Sequence, residues 1–314
     1  MKKLIVWLLV ILILTVSCIY IFIPAKIVIS RIIIAEAQIN GVFRNINQED
    51  KWEKWWRDSD GKPHVKGEPF TYNGSVFHLT KYENNVVGIE IDQKGLKLQS
   101  QLFLVSFNPD STGTTWKCEI PASNNPLTRL LKYNQALKIS KNMHEILQNL
   151  KHFISSPQNV YGFTIYKTST RDTTMLSAKF ISTSYPTTTE IYGYLNVLER
   201  NIQKQKGKIT GFPILNVRDL DSMHFETQVA LPTDRLLENN GEIFYRRMVP
   251  GNFLCADVKG GPNTIQEAML QMNFYIQDFN KSKMAKSFEQ LVTNRLNEPD
   301  TSKWITRIYQ PIVN

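Results

Sequence analysis

Residues 252–313, NFLCADVKGGPNTIQEAMLQMNFYIQDFNKSKMAKSFEQLVTNRLNEPDTSKWITRIYQPIV, constrain the fold more than any other stretch. They read as strand, Gly-Gly-Pro turn, helix, strand, loop and final strand. Asn263 or Thr264 can cap the helix, and Ile265, Met269, Met272, Ile276 and Phe279 recur at helical spacing along one face. With a strand over 242–249 in front, the order is β-β-α-β-β, closing on strands over 287–294 and 304–312. A looser copy lies upstream: strands over 161–168 and 175–184, a helix from Pro186 to about Lys206, then strands over 211–217 and 224–231. Ile191, Tyr194, Leu195, Leu198 and Ile202 stripe that helix, and Pro in a first turn is favourable. Thr227–Pro232 (TQVALP) aligns without gaps on Thr306–Pro311 (TRIYQP). The C-terminal half is therefore expected to be a duplicated module whose sheets and helices border a central cleft.

Composition narrows the function classes. An apolar fraction of 42% within 314 residues suffices for packed cores and argues against disorder. The net charge of +9 is spread thinly, with no basic run, so a nucleic-acid footprint is not expected. Three cysteines make a poor disulfide framework: Cys18 lies in an apolar run, while Cys118 and Cys255 read as small buried hydrophobes. A Cys118–Cys255 bridge would have to join different domains.

Leu4 to Ile23 is almost unbroken apolar sequence behind Met1-Lys2-Lys3, closed by Pro24. Its length matches the roughly 20 residues that cross a hydrocarbon core. Thr15-Val16-Ser17-Cys18 only faintly resembles a lipoprotein box, because the apolar run continues past Cys18. Residues 1–25 are thus read as an uncleaved single-pass anchor rather than a signal peptide. Lys2 and Lys3 stand before the span and Lys26 and Arg31 after it, so the positive-inside tendency places the body outside the cytoplasm by a narrow margin.

Residues 27–156 form the first body. A β-branched strand, Ile27–Ile34, leads into a helix over 35–45 and then the string KWEKWW, with Trp52, Trp55 and Trp56. This cluster is read as a core plug rather than a stacking platform. Strands over 75–82, 85–93, 96–108 and 114–120 follow, with turn signals at Glu83-Asn84, Lys94-Gly95 and Pro109–Gly113, as in an antiparallel meander. A long helix, about Tyr133–Ile154, closes the body with Ile139, Met143, Ile146, Leu147, Leu150 and Phe153 on one side. Entry strand, helix and KWEKWW resemble the SRPBCC superfamily of START and polyketide-cyclase-like domains. That resemblance implies a helix-grip fold holding apolar ligands between sheet and helix.

Residues 160–314 resemble the gyrase-inhibitor-like (GyrI-like) effector-binding domain, also found attached to bacterial transcription regulators. ADVKGGPNTIQEAM, SFEQLVTN and WITRIYQPIV carry the resemblance. It implies a small, often aromatic or cationic molecule in the cleft, and hydrolysis in a subset of members. Glu289 in SFEQ stands where the family tends to have Glu. The last strand departs from the family, with Arg307 where a Glu is common in a pattern like TEIYxP. Glu289 would suit a cation facing an aromatic wall, whereas Arg307 would suit an anion or would pair with Glu289 across the cleft. Trp304, Tyr309, Phe225, Tyr194 and Tyr275 complete the candidate ligand-binding set, each with plain core packing as its other reading.

No catalytic constellation, cofactor motif or metal site is legible. The five histidines lack ligand spacing, and neither a Gly-x-Ser-x-Gly elbow nor a phosphate loop is present. The expected α+β protein is an anchored binding or sensing protein for a small molecule. Two rival readings remain: a hydrolase using Glu289, and a non-catalytic partner-binding envelope module whose protein partner the sequence does not name.

Overall fold

The computed structural model describes every residue except Met1, Asn84, Arg171, Asp172, Ser222, Val249 and Asn314. The expected turn at Asn84 and the strand end at Val249 lie outside the described residues. The apolar N-terminal run forms α1 (Lys2–Phe22), 21 residues with most of its apolar side chains exposed and Val16 and Ile19 half-buried. It is long and apolar enough to cross a bilayer, a property that an N-terminal signal sequence shares. The chain divides into two compact units, Met1–Ser156 and Pro157–Asn314.

In the first unit, β1 (Lys26–Ala35) is followed by α2 (Ile39–Ile46) and α3 (Glu49–Trp52). Then come β2 (Phe70–Tyr72), β3 (Ser75–Glu83), β4 (Val86–Gln93), β5 (Leu96–Asn108), β6 (Ser111–Pro121) and α4 (Pro126–Ile154). The six strands form one sheet in the order β1-β6-β5-β4-β3-β2, antiparallel throughout. Two tight hairpins set its register. Asn73 and Gly74 (φ 48° and 73°) join β2 to β3, and Lys94 and Gly95 (φ 53° and 83°) join β4 to β5. Paired positive φ values match the right-handed twist of the flanking strands.

Helix α4 packs on β1 and β6. Its buried Ile146, Leu147 and Leu150 meet Trp52, Trp55, Trp56 and Trp116. Each buried indole N–H is satisfied: Trp52 donates to Ile46 O, Trp55 to Asn45 O, Trp56 to Thr71 O and Trp116 to Ser100 Oγ, all at 2.9 Å. The void left among these side chains is about 10 Å³, the scale of a single water-sized probe. Tryptophan rings occupy this interior where a helix-grip binder would keep a ligand chamber.

The second unit opens with α5 (Pro157–Tyr161), β7 (Ile165–Thr170), β8 (Thr173–Ser182), α6 (Thr188–Lys204), β9 (Ile214–Asp219) and β10 (Phe225–Thr233). It continues with β11 (Ile243–Met248), β12 (Gly251–Lys259), α7 (Pro262–Asp278), β13 (Ser282–Lys283), β14 (Phe288–Leu291) and β15 (Ile305–Val313). The sheet order is β11-β8-β10-β9-β14-β15-β12-β7. Read outward from the β9–β14 centre, the two halves repeat, except that the first strand of each copy pairs with the second strand of the other: β7 with β12, and β11 with β8. Each half has its own core. Ile191, Leu195, Leu198 and Ile202 of α6 pack on Leu176, Val229 and Leu231, while Ile265, Ala268, Met272 and Ile276 of α7 pack on Leu254, Val258 and Ile308.

The helix starts differ from the sequence expectation. Pro186 lies before α6, not inside it, and Thr187 is the cap, with its hydroxyl accepting from Glu190 N (3.2 Å) while Glu190 accepts from Thr187 N (2.8 Å). Gly261 rather than Asn263 or Thr264 stands at the cap of α7, with Pro262 as its first residue. Gly260 before it has φ +143°, and a Cβ there would meet Thr264 Oγ1 at 2.7 Å. Thr187→Ala is expected to cost about 1 kcal/mol, read as a lower unfolding temperature that Thr187→Ser largely restores.

Candidate functional site

Strand β14 fixes the centre of the cleft. Glu289 pairs with Ile308 on one side and Leu215 on the other, whereas Gln290 pairs with Arg307. Successive strand residues point to opposite faces, so Glu289 shares the buried face with Thr306 and Ile308, and Arg307 takes the other face. The Glu289–Arg307 pair considered from the sequence does not form. Arg307 instead chelates Asp257, its cross-strand neighbour, through Nε and Nη2 at 2.5 and 3.0 Å.

The partner of Glu289 is Arg295, from the loop after β14. Its Nη2 lies 3.1 Å from Glu289 Oε2 and 2.9 Å from Thr306 Oγ1, and its guanidinium sits 4.7 Å from the centre of the Trp304 ring. Both side chains are buried, Glu289 at 6% exposure and Arg295 at 8%. Burial pushes the Glu289 carboxyl above the usual carboxylate range, and Arg295 opposes that rise without cancelling it.

Glu289 and Arg295 both line a cleft of about 270 Å³ between the two copies. The first copy contributes Tyr185, residues 215–219 of β9, and Phe225. The second contributes Pro262, Ile265, Gln266 and Met269 along one side of α7, with Ser287 and Phe288 of the β14 segment. Tyr185 meets Phe225 edge to face at 5.9 Å, and burial, with Glu289 nearby, pushes its hydroxyl up to about 12. Arg218 at the wall is already paired, 2.8 Å from Glu226, which Lys179 also approaches at 3.1 Å. The cleft thus combines aromatic walls and a thioether with the Glu289–Arg295 pair and the amides of Asn216 and Gln266.

Duplication explains why the cleft lies beside α7. The strand alignment makes Val229 the counterpart of Ile308, so Leu215, opposite Val229, is the counterpart of Glu289. Aligning the helix caps likewise makes Tyr192 the counterpart of Gln266. Tyr192 is buried, and its hydroxyl accepts from Arg295 N at 2.8 Å and donates to Thr293 O at 3.4 Å. The first copy has filled with a tyrosine the position that the second leaves at a cleft wall.

Of the seven residues expected from the sequence, Glu289 and Phe225 line this cleft. Trp304 and Tyr309 lie one layer behind: Trp304 backs Arg295, and Tyr309 stacks on Phe288 at 5.0 Å with the rings 7° from parallel. Tyr194 instead stacks on Phe180 at 4.3 Å, and Tyr275 packs with Tyr161 and Phe279 at 5.2 and 4.4 Å. Sequence reasoning missed Tyr185, Met269, Phe288 and Arg295. Only Met269 carried a signal, as a member of the α7 stripe one turn beyond Ile265.

No protein-family profile and no curated protein matches the chain. Among solved structures, the EcmrR C-terminal domain is similar at 13% identity, covering 48% of this chain and 98% of that one, with a TM-score of 0.42. A hydrolase from Listeria innocua is similar at 9% identity over 48% and 92% of the two chains, with a TM-score of 0.38. SAV2435, solved bound to tetraphenylphosphonium, is similar at 16% identity over 48% and 94%, with a TM-score of 0.31.

Proposed function

We propose that the protein is a membrane-anchored small-molecule receptor, with α1 as its span and the cleft beside α7 as its binding site. One observation carries the reading: a buried carboxylate, Glu289, lines a cleft of about 270 Å³ that mixes aromatic and aliphatic walls with polar side chains such as Asn216, Gln266 and Arg295. Few side chains justify the cost of burying a charge unless a partner or ligand returns it. Arg295 engages one carboxylate oxygen and leaves Oε1 without a bonded partner among the described residues. A compact aromatic ligand bearing a positive charge or a hydrogen-bond donor suits that oxygen, with Tyr185, Phe225 and Phe288 as its walls. The cleft is at the small end for ligand sites, which favours a molecule below drug size. On the charge bias at the ends of α1, the body lies outside the cytoplasm.

Thermal unfolding of the full chain in detergent, against cationic, anionic and neutral aromatic compounds, tests this reading. A ligand at a hundred times its Kd adds about 2.7 kcal/mol. A cationic hit is expected to lose roughly ten- to a hundredfold in affinity in Glu289→Gln, the worth of about 1.5–3 kcal/mol for a charge-assisted contact. A hit indifferent to Glu289→Gln and to Phe225→Ala would place the ligand elsewhere.

The raised proton affinity of Glu289 favours one second reading, a hydrolase in which it moves a proton for an attacking water. Turnover of small esters that disappears in Glu289→Gln would select it over simple binding.

A further inference from the structure

Helix α4 begins well before its core-facing stripe, and the extra turns have an unusual distribution of side chains. Asn125 caps them, accepting from Leu127 N at 3.0 Å and Thr128 N at 3.2 Å. Arg129 is the one buried residue of the first two turns, whereas Leu127, Leu130 and Leu131 are exposed at 71%, 41% and 63%, and Leu137 continues their line at 52%. The positions 127, 130 and 131 share one side of a helix, and 129 lies on another. A solvated helix does not ordinarily present such a leucine stripe to water.

The buried Arg129 shows what lies next to that stripe. Its Nε donates to Ile23 O at 2.9 Å, its Nη2 reaches the same carbonyl, and its guanidinium lies 4.8 Å from the centre of the Tyr20 ring. Tyr20 in turn donates to Asn124 O, just before α4. Arg129 therefore closes the C-terminal end of α1, where the last carbonyls of a helix lack partners. Ile23 is buried in this clasp, while Ile21 and Phe22 immediately before it are exposed. The start of α4 is tied to the point where the apolar helix ends, so Leu127, Leu130 and Leu131 lie within a turn or two of that end. Tyrosine and arginine at the end of an apolar span are the side chains that settle at a membrane–water boundary.

We propose that the first three turns of α4 are a second membrane contact, lying in the lipid interface with Leu127, Leu130, Leu131 and Leu137 among the acyl chains. This rests on the reading of α1 as a membrane span. The span and the interfacial helix, joined by Arg129, would then hold the first unit at a fixed height and tilt on the bilayer instead of letting it swing from a flexible stalk. Apolar area added at an interface strengthens binding in proportion to its size.

Depth-resolved quenching tests it on the full chain. Cys18→Ser protein carrying an environment-sensitive fluorophore at Leu127→Cys, Leu131→Cys, Leu9→Cys or Lys94→Cys is reconstituted into phosphatidylcholine vesicles containing quenchers near the headgroup or at mid-chain. The expected result is strong quenching at 127 and 131 by the shallow quencher, at Leu9 by the deep one, and none at Lys94, a hairpin position in the same unit. Quenching at Leu9 with none at 127 and 131 would overturn the interfacial contact and leave the span standing. No quenching at Leu9 would overturn the span reading itself, and this proposal with it.

Discussion

Replacing Arg295 with methionine is expected to destabilise the second unit by about 3–5 kcal/mol, the usual cost of removing one member of a buried ion pair. Three contacts go together: the 3.1 Å bond to Glu289, the 2.9 Å bond to Thr306 Oγ1 and the packing on Trp304. Methionine restores part of the volume, so the loss reports mainly on the stranded carboxylate. The double variant Arg295→Met with Glu289→Leu distinguishes this from lost packing. It should recover much of the deficit, because an apolar pair in place of a buried ion pair is often neutral or stabilising. Equal instability in single and double variants would mean that Arg295 acts through packing alone. The measurement is chemical unfolding of the full chain, followed by hydrogen exchange resolved along β14 and β15.

The pH dependence of the same pair has a definite sign. The carboxyl of Glu289 is raised in the folded protein, so the native state keeps its proton to higher pH than the unfolded chain does. Stability from this group is present in full below the unfolded value of about 4.3 and is lost as pH rises through the folded one. Glu289→Gln should remove that slope. Arg295→Met should carry it to higher pH, since the charge opposing the rise has gone. Binding of a cationic ligand should move in the opposite direction and strengthen with pH across the same window, because only the ionised carboxylate attracts it.

Much of the fold is legible because strand and helix periods survive burial on one face. The alternation along β5 and the 3.6-residue stripes of α6 and α7 place their cores directly. Legibility fails where a side chain faces away from the core that sets the pattern. The first turns of α4 escaped because their leucines point outward, although Asn125-Pro126 is an ordinary helix opening. The short strand β2 escaped although Asn73-Gly74 is a strong hairpin signal, because only three residues precede it. At the cleft, Glu289 stood out by its residue type, but its partner was out of reach: only the register, which pairs Gln290 with Arg307, excludes Arg307 and admits Arg295 from a loop. Tyr185 likewise belongs to no periodic element, so nothing in the sequence placed it at a wall.

The first unit makes the opposite commitment from the cleft, and Trp52→Ala should expose it. Trp52 is 1% exposed, stacks on Trp56 at 5.5 Å with planes 6° apart, and meets Phe70 edge to face at 5.3 Å. Truncating a buried tryptophan costs about 3–5 kcal/mol through lost transfer energy and the void left behind. Here the surroundings include three other indoles, each held by its own hydrogen bond, so collapse into the gap should be small and the cost should lie toward the upper end of that range. Trp52→Phe should cost less, because most of the ring contact survives and the main loss is the bond to Ile46 O. Apolar voids on the order of 150 Å³ stay dry and take up benzene in other proteins. Indole should therefore raise the unfolding temperature of Trp52→Ala and leave the native protein, with about 10 Å³ free at this place, unchanged. Stabilisation of the native protein by indole through the first unit would mean that the tryptophans open to admit ligands. An indole effect confined to the variant would establish that the interior expected to hold an apolar ligand is closed by its own side chains.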